Sequence, residues 1–485
     1  MSKASMKILS RNEVELVHTT AIRILSEVGV KIESPSVLAL LKKAGAKVDE
    51  NKEIALLPEE MIKEALKSAP KSVKICSRGG VDYTIPDDGV QLMSPDGQPP
   101  AVWDIETGVR RPSKLKDLID IVKVCDALPE VGHVWPPVVA TDMPADKSSY
   151  YEFLATIAYT SKHVQHGAMS TDEANFQVEL AAAVLGSKEE LRRRPIFSDV
   201  ITPISPLRYD KGEAEALVVL SRAGVPMVQL SMGIAGSVTP ATLAGTMAVI
   251  NAENLCGLAL TQLASRGAPS LYSTFSGVMD LKTGVFVCGA PEGVLLDCAA
   301  VEMARYYGLP TCCGGFSNSS RTLSAEACAE GAMTAMAALL TGSDMLVGLG
   351  GLDRAGVMSI EKVVMDAEIW RWLSRIRAGI QVDEGTLGFD AIRRQGPGGV
   401  FLSDPHTLKY LRKEFMIPQI TGYHSPGSID HFADDLIEHA KKRTKEILTT
   451  HKSPLLSKEV AHRVGEVARK HGILLKNGKQ IFEHA

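Results

Sequence analysis

The chain has 485 residues, 45% of them hydrophobic and 23% charged, with a formal net charge of −4. This is the balance of a globular protein with a sizeable core, and it offers no basic field for nucleic acid. No uninterrupted apolar stretch reaches about 18 residues, and the N-terminal MSKASMKILSRNEVE lacks the apolar core of a leader, so neither a membrane span nor export is expected and the expected compartment is the cytoplasm. The eight cysteines include no C-x-x-C pair and read as reduced, buried thiols, so no metal site is expected of them.

Apolar residues recur at helical spacing over 10–29 and 34–45, each stopped by a glycine, and Pro58 opens a third helix to 69. Short strand-like pieces and turns follow, including Arg78-Gly79-Gly80 and Pro95-Asp96-Gly97. Residues 1–110 thus read as an N-terminal α+β elaboration. From Ser113 helices of 12 or more residues alternate with short strands. The strands are 133–136, 163–166, 195–199, 226–230, 270–273, 310–314 and 345–348, and a last long helix runs over 359–379. Seven or eight such units in about 300 residues predict a parallel sheet closed into a (β/α)8 TIM barrel spanning 111–430. No G-x-G-x-x-G follows the first strand, which argues against a dinucleotide-binding sheet. A charged helix over 431–449 and a further one in the tail make 431–485 a helical extension.

In such a barrel the chemistry collects where strands end. That rule selects Trp135–Pro137, His166–Met169, Asp199–Pro203, Ser231–Gly233, Tyr272–Phe275, Gly314–Asn318 and Gly350–Arg354. The set is poor in acid–base groups. No nucleophile motif accompanies its one histidine, and His163 and His166, three apart on a strand, face opposite sides and cannot share a metal. It is rich in glycine, including Gly314, Gly315, Gly350 and Gly351, which lets a large flat partner approach closely. Its aromatic rings suit a quaternary ammonium, which attracts π faces and donates no hydrogen bond. Arg321 and Arg354 are candidates for a substrate carboxylate. Mouth packing and tight turns would account for the same residues.

Seven short segments in order, Pro195-Ile-Phe-Ser198, Ser205-Pro206-Leu207, Leu230-Ser-Met232, Leu243-Ala-Gly245, Asp280-Leu-Lys282, Gly308-Leu-Pro310 and Val364-Met-Asp366 with Glu368-Ile369, make the chain resemble the trimethylamine methyltransferase family over nearly its whole length. Members acting on trimethylamine carry pyrrolysine a few residues after the Gly-Leu-Pro segment. Here the matching residue is Ser317, which resembles the non-pyrrolysine branch, with glycine betaine methyltransferases among its members. A quaternary amine has a neutral leaving group and needs less activation than a tertiary one.

The resemblance implies methyl transfer from a quaternary amine, glycine betaine first, to the Co(I) of a corrinoid. A cobalt-ligating D-x-H-x-x-G is lacking, since Asp404-Pro405-His406 is followed by Thr407, Leu408 and Lys409, so the corrinoid is expected on a separate cognate protein and no cofactor is expected to bind tightly to this chain. On this reading Tyr272, Phe275 and Phe316 form an ammonium cage, and His166 and Arg354 orient a carboxylate. Ser317 and Asp199 are the catalytic candidates, and Gly314, Gly315, Gly350 and Gly351 admit the corrin. Other betaines (proline betaine, carnitine, γ-butyrobetaine), a non-catalytic betaine-binding barrel and an unrelated hydrolase or metalloenzyme are the competing readings. An apolar, helix-rich exterior predicts a homo-oligomer.

Overall fold

The computed structural model describes residues 4–87, 89–421 and 436–473. Eight parallel strands form the sheet: β1 Leu92–Pro95, β2 His133–Val134, β3 His163–His166, β4 Phe197–Ile201, β5 Met227–Ser231, β6 Ser270–Thr274, β7 Thr311–Gly314 and β8 Met345–Leu349. Their spatial order is β1-β8-β7-β6-β5-β4-β3-β2, chain order wrapped round. Closure falls between β1 and β2, where Met93 bridges Val131 and the Gly132 amide donates to Met93 O at 2.7 Å. A Cβ on Gly132 would lie 2.8–2.9 Å from Leu92, so only glycine lets the edges meet.

A helix follows every strand: α1 Leu115–Ala127, α2 Ser148–Tyr159, α3 Thr171–Leu185, α4 Lys211–Ala223, α5 Leu243–Ala264, α6 Pro291–Tyr307, α7 Ala325–Thr341 and α8 Ile360–Ala378. The expected closed (β/α)8 barrel is therefore present. Its first strand, however, lies at 92–95, before the boundary drawn at 110. Those four residues include a proline and stand beside a turn, so they carry no strand signal of their own. Helix α5 is long and apolar enough to cross a membrane by length and composition, yet 83% of its apolar window is buried inside the protein, as in a core helix.

The three N-terminal helices are those predicted, Arg11–Arg23, Pro35–Lys43 and Glu59–Ser68, the first two capped at Ser10 and Ser34, while a small sheet over 30–56 joined by Arg208–Tyr209 lies between them, where no strand was expected. A hairpin, Val73–Ile75 with Tyr83–Ile85, adds Val73, Ile75 and Ile85 to the apolar filling of the barrel, made by Leu92, Val200, Val228, Leu230, Leu271, Cys312 and Met345. At the opposite end a second small sheet clasps the first and last βα loops. Val357–Ser359 pairs with Ala101–Trp103 in parallel, flanked by Gly351–Leu352 and Arg110–Pro112. After α8 an arm of three short helices (Glu384–Leu387, Phe389–Gln395, Pro405–Glu414) runs out and back. Helices α9 Leu436–Thr450 and α10 Lys458–Lys470 lie against α1, α3 and α8. Of the expected extension, 431–435 and 474–485 lie outside the described residues.

Candidate active site

Strand alternation decides which strand-end side chains reach the barrel interior. On β3 and β4, His163 and Ser198 face inward, joined by a 3.0 Å hydrogen bond, and Gln165 reaches across to Cys312 on β7. The next residues therefore face outward. His166 stacks edge-on against Phe153 of α2, at 5.4 Å, and meets Gln177 of α3 at 3.2 Å. Asp199 accepts from the Ala168 amide at 3.3 Å and is fully buried. Burial holds its carboxyl well above the ordinary range, and Glu213 and Glu173 add to the rise. Tyr272 on β6 also faces outward: its phenol donates to Asn251 of α5 at 3.0 Å, and its ring neighbours Tyr307 of α6. His166, Asp199 and Tyr272 thus sit behind the sheet rather than in the mouth. A strand end fixes height along the barrel, and the pleat fixes the face.

Phe316 is also withdrawn. It has φ 54°, packs against Gly331 of α7, and has the Lys362 ammonium 5.9 Å from its ring centroid, so its partner is already a protein cation. Lys362 is itself fully buried and paired with Asp366 at 2.6 Å. Phe275 alone of the three proposed cage rings lies on the apolar filling, together with Trp135 and Met232. Phe286 meets Phe275 edge-on at 6.0 Å.

Around these rings the polar groups converge. A Cβ built on inward-facing Gly314 would lie 3.1 Å from Asp297 Oδ2, 3.1 Å from Ser317 Oγ and 3.2 Å from Phe275 Cδ2. One point thus sees a carboxylate, a hydroxyl and an aromatic ring. Asp297 Oδ1, Ser317 Oγ, Ser273 Oγ, Gln165 Nε2, Asn318 Oδ1 and Trp135 Nε1 are buried with no hydrogen-bond partner in the protein. Each such group costs about 1–3 kcal/mol, and two of them, on Asp297 and Ser317, meet beside Gly314 at the chemical end of the barrel, as in a ligand site. Burial raises the Asp297 carboxyl well above its ordinary value, offset in part by the Ser276 amide.

Two further carboxylates stand near the mouth. Asp96, just past β1, is pushed up to about 6 by burial, with Lys362 drawing it back. Glu330 of α7 accepts from the Ser319 amide at 2.7 Å. Sequence reasoning missed Asp297 because it sits in a helix, and Asp96 because β1 was unrecognised. The available signal was one aspartate inside the apolar run Val294–Val301.

Of the four glycines, Gly314 faces the mouth and Gly351 abuts Asp96, where a Cβ would collide with the carboxylate. Gly315 faces Leu346 and Ala335, and Gly350 faces Val363 and Met358, so both serve internal packing. Arg354 stands on the rim. Its amide donates to Asn318 O at 3.1 Å, and its guanidinium is paired with Asp353. Arg110 and Arg321 approach the same carboxylate at 3.3 and 3.9 Å, leaving three cations on one anion. Asp353, Arg354 and Ala355 have φ of 51°, 59° and 63°, a left-handed run that costs about 1 kcal/mol or more per residue. Among the described residues no three histidine, cysteine or carboxylate side chains converge to hold a metal.

Comparison with known proteins gives three findings. Residues 1–472 match the trimethylamine methyltransferase family. The chain is 31% identical to a glycine betaine methyltransferase of Desulfitobacterium hafniense, with 88% of each covered, and 30% identical to a trimethylamine methyltransferase of Methanosarcina barkeri, with 81% of each covered. The crystal structure of the Methanosarcina barkeri monomethylamine methyltransferase superposes with a TM-score of 0.54 over 91% of this chain and 89% of that one; at 13% identity this is a likeness of fold.

Proposed function

The chain belongs to the trimethylamine methyltransferase family, and from that premise we propose that it takes a methyl group from a quaternary amine, glycine betaine first, and delivers it to a corrinoid carried by a separate protein. The observation that carries this reading is the convergence of Asp297, Ser317 and Phe275 over Gly314. A trimethylammonium group donates no hydrogen bond and needs apolar and aromatic contact with one counter-charge. Trp135 and Phe275 supply the rings and Asp297 the charge. Ser317, at the position of pyrrolysine in trimethylamine-specific relatives, is too short to engage a leaving nitrogen covalently and leaves room for a larger substrate.

Arg354, with Arg110 and Arg321 behind the same aspartate, gives the rim a net positive charge suited to the carboxylate of a betaine. The pocket would thus bind both ends of a zwitterion and hold the methyl-bearing nitrogen in a water-poor mouth.

The corrinoid fits as a group presented from outside. The only D-x-H sequence, Asp404-Pro405-His406, lies in the arm, where Asp404 caps a helix and His406 is bonded to Gly385 O at 2.9 Å. Gly314, whose Cβ would meet Asp297, Ser317 and Phe275, keeps the mouth free of a side chain beside the reacting methyl group. When bound, the corrinoid supplies the nucleophile that accepts the methyl group.

The test is methyl transfer from a panel of betaines and trimethylamine with free cob(I)alamin, and then with the cognate corrinoid protein, following loss of the Co(I) absorbance. Turnover of a betaine and not of trimethylamine is expected. No turnover of any substrate with the protein partner present would overturn the proposal. Turnover of trimethylamine alone would overturn the substrate assignment.

A further inference from the structure

The arm between α8 and α9 has its polarity inverted. Of residues 380–417 only Ala391 and Asp404 are buried. The interior of the arm is polar: Arg394 and Gln395 bond Asp404 at 2.9 and 3.1 Å, His406 bonds Gly385 O, and Thr407 bonds Phe401 O at 2.7 Å. Its exterior is apolar. Ile380, Val382, Leu387, Phe389, Leu402 and Leu408 are each 62–83% exposed, and Val400, Phe415 and Ile417 are alike. Twelve of the 25 exposed large hydrophobic residues among those described fall in these 38 positions. Chance placement would put about two there, so the arm carries a surface selected for burial.

The root of the arm is fixed. Arg375 of α8 bonds Glu414 at 3.1 Å and Arg371 bonds Ile417 O at 2.9 Å. A cleft of about 790 Å³ lined by Trp372, Ile376, Phe415 and Met416 continues the apolar surface onto α8.

We propose that the arm is the contact by which two copies of this chain associate, each arm covering the apolar face of the other. Area and charge select that occupant. Twelve large side chains of roughly 150 Å² each, about two thirds exposed, present on the order of 1,100 Å², beyond the roughly 800 Å² that each partner buries in a stable interface. It also exceeds the largest apolar patch of a typical monomer, about 300–600 Å². Residues 380–417 hold five acidic and five basic side chains. A face with no net charge is compatible with its own copy, while a strongly charged partner would find no complement there. This proposal is independent of the substrate assignment.

The full chain is examined by light scattering coupled to gel filtration and by hydrogen exchange at about 1 and 50 μM. The expected result is twice the chain mass, or a multiple of it, with residues 380–417 more protected at the higher concentration. The double variant Phe389→Asp with Leu402→Asp alters two exposed side chains and is expected to halve the mass with an unchanged circular dichroism melt. A wild-type monomer at both concentrations would overturn the proposal, as would a double variant that assembles like wild type. Protection of the arm gained only on adding a corrinoid protein would overturn it too, assigning the face to that partner. Should the double variant melt early, concentration-dependent protection of the wild-type arm decides by itself.

Discussion

Replacing Asp297 by asparagine keeps the shape of the side chain beside Gly314 and removes its charge. A quaternary nitrogen seated over the Phe275 ring would stand about 4.5 Å from this carboxylate, worth about 3.5 kcal/mol at an effective dielectric constant near 20. Part of that is spent desolvating the pair, leaving about 2 kcal/mol, or roughly a 30-fold rise in KM for the betaine. The same burial fixes a proton. Burial raises the Asp297 carboxyl well above its ordinary value, so the free enzyme holds it neutral over a range where an isolated aspartate is ionised. A bound cation favours the carboxylate, so binding releases a proton and tightens as pH rises toward the raised pKa. Isothermal calorimetry in buffers of different ionisation enthalpy should show that release for wild type and none for Asp297→Asn. The variant should melt no lower, because it replaces a neutral buried carboxyl by a neutral amide of the same shape. A variant KM within threefold of wild type, or binding without proton release, would refute the placement of the cation.

Gly314→Ala puts a methyl group 3.1–3.2 Å from Asp297, Ser317 and Phe275, and should lower kcat/KM about 100-fold while the melting temperature stays within a few degrees. Tyr272→Phe removes the donor to Asn251 behind the sheet, so a stability loss of about 1–2 kcal/mol by denaturant titration is expected with KM unchanged; a large KM effect would return Tyr272 to the mouth. Asp96 has a folded pKa of about 6 against an ordinary 3.8, so stability present below about pH 4 is lost as pH rises through 6. Asp96→Asn should therefore raise the melting temperature at pH 7.5, by an amount equivalent to at most about 3 kcal/mol, and leave it unchanged at pH 4; equal gains at both would refute the assignment.

The helices were legible because each has a period and a stop. A helix was expected between the strands 270–273 and 310–314, and α6 lies in that interval, with Gly308 ending it in the left-handed conformation. Seven strands were legible as short apolar pieces between helices. The eighth, Leu92–Pro95, was lost because a strand held between β8 and the closure needs no apolar alternation of its own. Site residues were less legible. The rule that chemistry gathers at strand ends located Ser317, Phe275, Trp135 and Arg354 near the mouth, and could not separate them from His166, Asp199 and Tyr272, which differ only by the pleat. Asp297 enters from a helix, by a tertiary contact that no local pattern encodes.

The clasp over the mouth joins Ala101–Trp103, from the loop after the first strand, to Val357–Ser359, from the loop after the last. Arg110 hangs from one side of it and Asp353 with Arg354 from the other. During synthesis the two halves of this rim leave the ribosome some 250 residues apart, a delay of about 12–50 s at typical elongation rates. A nascent chain that ends before Asp353 holds Asp297, Phe275 and Ser317 and still lacks the aspartate that gathers Arg110, Arg321 and Arg354. On the proposed function, zwitterion capture needs residues from both ends of the barrel sequence, and products truncated before Asp353 should be unable to compete with the full chain for a betaine.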